Sequence, residues 1–202
     1  MIRLTPSLAL LTTTLLVAPY PATAQQSKAA PATKPPVFLA GFAERDITPE
    51  IGMEAPGGYG KSYHRSIHDP CKVRAAVFDD GAAKVAIVGI DALGIRRETV
   101  LKTRKAISEK TGLPAESILM GASHSHSSGP IVWILPGEFD HASPRVQKLA
   151  YEESTCVNPQ YLAKVERALI EAVVAAHDGR TAAKAGAGKG IEDKVAFNRR
   201  FL

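Results

Sequence analysis

Residues 84–122 read KVAIVGIDALGIRRETVLKTRKAISEKTGLPAESILMGA. Lys84 to Ile90 is a short, mostly apolar run, too short for a buried helix and rich in β-branched residues, so it is expected as a strand. Arg96 to Lys110 then carries Val100, Leu101, Arg104 and Ile107 at helical spacing, with Gly112 placed to end the helix and Pro114 beyond it. Ser117 to Ala122 is a second apolar run. Strand, helix and strand in that order predict a βαβ unit with its two strands parallel.

Working outward, Cys71 to Phe78 alternates as a strand should, and Asp79-Asp80-Gly81 separates it from Lys84, a hairpin signal. Lys84 to Ile90 is apolar on both faces and is expected to be central in its sheet. Val37 to Ile47 reads as a first strand, followed by a glycine-rich loop from Gly52 to Tyr63. Asn158 and Pro159 open a helix as N-cap and first helical residue. Its apolar positions run from Leu162 to Ala176, and Asp178-Gly179 ends it. Ala182 to Gly190 and Lys194 to Phe197 read as two more short strands. The fold class is therefore α/β, a mixed sheet with flanking helices. Between the two helical halves, Ser127 to Val157 is expected to be a long irregular segment, of the kind that forms a binding loop or lid, or is disordered.

The first 36 residues belong to a different regime. Met1 to Ala24 has Arg3, a threonine-interrupted apolar run and the ending Ala22-Thr23-Ala24, which together predict a cleaved signal peptide and a periplasmic or extracellular protein. Residues 25–36, rich in Ala, Pro, Lys and Gln, are expected as a disordered leader, leaving 37–202 as the folded part. The formal charge of +5 is dispersed and not interleaved with aromatics, which argues against a nucleic-acid partner and leaves peripheral contact with anionic membranes open. Cys71 and Cys156 can pair in an exported protein, or stay as two free thiols.

The chemistry concentrates in residues 121–130, GASHSHSSGP. If the strand continued, His124 and His126, two apart, would present both imidazoles on one side at its C-terminal end. That end of an open α/β sheet is where ligands bind. Two imidazoles there suit zinc, although a solvated pair on a polar turn has the same sequence. Ser125 between them is small enough to line a cleft. Asp91, at the end of the apolar strand, either orients a ligand histidine or caps its loop. Gly57, Gly58 and Tyr59 either line the cleft or form a plain turn; Trp133 either meets an apolar chain or packs on the core; His64 and His68 are expected to be solvated.

These segments resemble the neutral/alkaline, non-lysosomal ceramidases. GASHSHSSGP resembles the family's T-H-T-H-S-G-P signature, and Asp46-Ile47-Thr48-Pro49 its D-I-T-P turn. Gly58-Tyr59-Gly60, His68-Asp69-Pro70 with Val73-Arg74-Ala75, Val88-Gly89-Ile90-Asp91 and Phe197-Asn198-Arg199 follow in the family's order. The resemblance implies an exported zinc amidase that splits ceramide, a lipid amide, into fatty acid and sphingoid base. It implies His124 as a zinc ligand, His126 beside the metal and Arg199 in catalysis. It also places the family's other ligands (a histidine, a glutamate and a tyrosine) after the N-R segment, so the chain as given is expected to be an incomplete, inactive portion. Arg200 stands where the family has serine, and the residues after Pro130 do not match the family's G-G-Y-F-Q-Y run. Two other functions remain open: a metallohydrolase of another amide or ester that uses both histidines as ligands, and a non-catalytic domain binding lipid or a partner through the Ser127–Val157 segment.

Overall fold

The structure, a computed structural model, describes residues 37–195 and Arg200. The expected signal peptide, the leader and Phe197, Asn198 and Arg199 lie outside the described residues.

Among the described residues five strands form one sheet: β1 (Leu39–Asp46), β2 (Lys72–Asp79), β3 (Lys84–Ile90), β4 (Ile118–Ala122) and β5 (Thr181–Ala182), in spatial order β4-β3-β2-β1-β5. β3 and β4 are parallel, and the other pairs are antiparallel. The sheet is thus mixed, as the βαβ unit and the hairpin require. The β2–β3 turn is closed by aspartates: Asp79 Oδ1 accepts from Gly81 N–H, and Asp80 Oδ1 accepts from Ala82 and Ala83 N–H at 2.9 and 2.7 Å. Those backbone donors hold the Asp80 carboxyl below the usual range.

Among the described residues three α-helices accompany the sheet: α1 (Arg97–Thr111), α2 (Pro144–Lys148) and α3 (Pro159–Asp178). α3 starts where expected, with the Asn158 side chain accepting from Tyr161 N–H. Its buried stripe of Val165, Ala168, Leu169, Ala172, Val173 and Ala176 packs on β1 and β2 and against α1. The alternate residues Val73, Ala75 and Val77 of β2, Ala86, Val88 and Ile90 of β3, and Ile118 and Met120 of β4 complete the core.

Four expectations change. α1 turns Thr99, Thr103 and Ile107 inward and leaves Leu101 exposed. Thr103 can occupy a core face because its hydroxyl donates to Thr99 O within the helix. β3 lies inside the sheet, between β4 and β2, but only one of its faces is covered: Val85 and Ile87 point to solvent. Of Ala182 to Gly190, only Ala182 belongs to a strand, opposite Leu39, and Ala183 N–H still donates to Phe38 O; residues 183–190 carry no strand, since an Ala/Gly/Lys run has no branched side chains to pack. The Ser127–Val157 segment is not wholly irregular. It holds α2 and a π-helical turn, Leu149–Glu153, and its ends are tied by Val157 N–H to Ile134 O and Asn158 N–H to Pro130 O.

Candidate functional site

The site is built where β4 stops. Ser123 N–H donates to Ile90 O and Ser125 N–H to Ala92 O, so the chain still follows the β3 side after the ladder ends. His124 then takes a left-handed backbone conformation, φ 61°. The two histidines therefore sit on a kinked loop beyond the strand, not on a continued strand. They are nevertheless brought together: the ring centroids lie 5.1 Å apart, at 75° to one another.

A carbonyl oxygen can only accept, so the 2.9 Å contact between His124 Nδ1 and Leu93 O requires the proton on Nδ1. In the neutral ring, Nε2 then carries the free lone pair. A backbone carbonyl orienting a histidine through its other nitrogen is the arrangement that metal-binding imidazoles need. Asp91 does not fill that role. Its Oδ2 accepts from Lys72 N–H (2.9 Å) and Arg74 Nη1 (2.8 Å), because Asp91 prolongs the β2–β3 pairing and its side chain turns to β2.

His126 is set against the glycine-rich loop. A Cβ at Gly57, where φ is 94°, would lie 2.5 Å from His126 Nδ1, so only glycine lets that loop close on the ring. The loop is itself anchored: Glu54 Oε1 binds Lys61 Nζ at 2.7 Å, and Glu54 Oε2 accepts from Cys156 N–H at 2.8 Å.

Three supports had no clear mark in the sequence. Ser128 is fully buried; its Oγ accepts from Leu93 N–H and donates to Ser125 O, fixing both the carbonyl that orients His124 and the loop that carries it. His64, expected in solvent, is half-buried and donates through Nε2 to Ser128 O at 3.0 Å. His68 is exposed, beside Asp69. Tyr161 lies under Gly129, where any side chain would strike its ring, and its hydroxyl donates to Ile47 O. Burial pushes the Tyr161 phenol well above its ordinary pKa.

Ser125, Ser127, Asp91, His64, Thr48 and Cys71 line a polar cleft of about 520 Å³, large enough for a small molecule. Cys71 is no ready nucleophile there, since burial and the nearby Asp91 charge push its thiol pKa up. Cys71 and Cys156 are both free thiols, which removes the disulfide alternative. Gly58, Tyr59 and Trp133 meet in a second, smaller groove of about 230 Å³. Trp133 is not a core residue: it is 54 % exposed and has φ 87°. Among the described residues no group of three or more His, Cys, Asp or Glu side chains is placed to hold a metal. The histidine pair by itself could supply at most two of the three or four ligands that a zinc site takes.

No family model matches the chain, and a search of curated proteins finds no match. The fold does have solved counterparts. The chain is similar to the structure of a neutral ceramidase from Pseudomonas aeruginosa, with a TM-score of 0.55 and 20 % identity over 72 % of this chain and 22 % of that one. It is similar to a ceramidase complexed with C2 at a TM-score of 0.50, with the same identity and coverage. The chain therefore has a ceramidase-like α/β fold and spans about a fifth of the length of the structures it matches.

Proposed function

We propose that this chain is the N-terminal portion of an exported zinc-dependent amidase of the neutral-ceramidase kind, which hydrolyses the N-acyl amide of ceramide to fatty acid and sphingoid base. The observation that carries this reading is the His124–His126 pair at the C-terminal end of the parallel β3–β4 pair, with His124 Nδ1 committed to Leu93 O and its Nε2 left for a ligand. The ceramidase-like fold supports it. Zinc bound there would supply Lewis acidity at the amide carbonyl. His124 would hold the metal. His126, kept in place by Gly57, would hold or pass a proton at the reacting amide. Arg199 is proposed to stabilise the developing oxyanion, on the strength of the resemblance alone. The 202-residue chain by itself should not turn over ceramide, because two imidazoles do not make a complete zinc site.

The test is fatty-acid release from N-acylsphingosine by the protein purified from its exporting host, with zinc measured on the same sample. The reading expects His124→Ala to lose zinc and turnover together, and His126→Ala to lose turnover and keep most of the zinc. Turnover that survives His124→Ala overturns it. A second reading is favoured by the 5.1 Å ring separation, which is close to what two imidazoles sharing one tetrahedral metal would show with Zn–N bonds of about 2.1 Å. There both histidines are ligands in a hydrolase of another amide or ester, and both substitutions remove zinc equally.

A further inference from the structure

His64 is bonded in two directions. Its main chain closes the glycine-rich loop into a hairpin: Gly52 N–H donates to His64 O at 2.8 Å, and His64 N–H donates to Met53 O at 2.9 Å. Glu54 and Tyr63 pair one step further along. That hairpin carries Gly57, which lies against His126. The His64 side chain reaches out of the hairpin, and its Nε2–H donates to Ser128 O at 3.0 Å. Ser128 carries the connection onward. Its Oγ accepts from Leu93 N–H at 3.1 Å and donates to Ser125 O at 2.9 Å. Leu93 O in turn accepts from His124 Nδ1–H at 2.9 Å. Although 64 positions apart in sequence, His64 and Ser128 thus join the wall behind His126 to the carbonyl behind His124. His124 needs such support. Its φ of 61° is a left-handed conformation that a residue with a side chain keeps only where its surroundings impose it. Leu93 and Ser128 are both buried, so water does not replace a bond lost between them.

We propose that His64, acting through Ser128, is a positioning residue for both imidazoles. It keeps the hairpin against His126 and the Leu93 carbonyl against His124, and so fixes how the two rings face each other. The proposal rests on the amidase reading above for the use made of the rings, and its test begins on metal-free protein.

The protein is purified from its exporting host, stripped of metal, and its histidine rings are followed by long-range proton–nitrogen NMR at a pH where they are neutral. Two substitutions at one position separate the hydrogen bond from the bulk of the ring. His64→Gln can still donate from its side-chain amide; His64→Leu cannot. In His64→Leu, His124 should pass from the Nδ1–H tautomer to a mixture and the His126 signals should move. His68, exposed beside Asp69, should stay where it was. His64→Gln should keep most of the original spectrum, and Ser128→Ala should disturb His124 as His64→Leu does. Rings of His124 and His126 that are unmoved by His64→Leu overturn the proposal. So does a His64→Gln spectrum disturbed as much as that of His64→Leu. Where His64→Leu does not fold, amide hydrogen exchange of the unsubstituted protein decides. The His64 and Leu93 amides should open as one unit, and opening at separate free energies overturns the proposal. Zinc titration of the same samples tells the two claims apart. His64→Leu should weaken zinc uptake about tenfold or more. Rings that respond as expected in a protein that takes up no zinc leave the positioning role standing and sink the amidase reading. Unmoved rings together with full zinc uptake sink the positioning role alone.

Discussion

On one face of the sheet, Val73, Val77, Val88 and Ile118 are closed over by the helical layer and lose all but a trace of their solvent contact. On the other, Phe42 of β1, Ala76 of β2, Ile87 of β3 and Leu119 of β4 stand in one cross-strand row, with Phe42 70 % exposed. Both faces carry an apolar row and both obey the same alternation, although the open face also holds the Glu44, Lys72 and Arg74 ion pairs. They differ in what lies across from them: α3 brings a continuous stripe of Val, Leu and Ala to the first face and nothing in the described residues reaches the second. Apolar composition by itself therefore does not predict burial here. The partner layer does, and an exposed apolar face of this kind marks a place where another surface can add.

Substitutions on the two faces should separate cleanly. Leu169→Ala, in the α3 stripe, should cost about 2–5 kcal/mol in urea unfolding, the range for a large core side chain cut to alanine. A loss below about 1 kcal/mol would mean that the covered face is not the core. Tyr161→Phe comes next, at about 1–3 kcal/mol, because the buried Ile47 carbonyl loses its donor. The same residue gives a pH signature. Its folded pKa is raised by burial, so above about pH 10 the unfolded chain releases the phenolic proton first, and stability falls as pH rises. That alkaline slope should flatten in Tyr161→Phe; an unchanged slope would place the phenol in water. On the open face, Ile87→Asp should stay within about 0.5 kcal/mol, as for a surface position. A loss above 2 kcal/mol would show that this face is covered in solution, and the comparison would fail.

How much of this was legible beforehand follows the range of the interactions. The βαβ unit, the Asp79–Gly81 hairpin and the capped α3 rest on local periodicity and end signals, and the structure has them within a residue or two. The position of the histidines at the end of β4 was legible for the same reason. Their geometry was not. The kink at His124, the Leu93 carbonyl that selects its tautomer, and the Ser128 clamp with His64 join residues 31 to 64 positions apart. Such contacts leave no periodic trace. Asp91 was a plausible orienting carboxylate by position, but strand pairing aims it at Lys72 and Arg74. The threonine face of α1 was missed because threonine counts as polar in a pattern, whereas its hydroxyl can satisfy itself on the helix's own carbonyls.

The chemistry of the site turns on His124 presenting Nε2 from a ring held at Nδ1. The most direct measurement is a long-range proton–nitrogen NMR spectrum of the chain's six histidines, recorded at a pH where the rings are neutral, during a zinc titration. His124 should be the Nδ1–H tautomer before metal is added, and its Nε2 resonance should be the first to move when zinc enters. His124 found as the Nε2–H tautomer, or unmoved while other histidines respond, would contradict it.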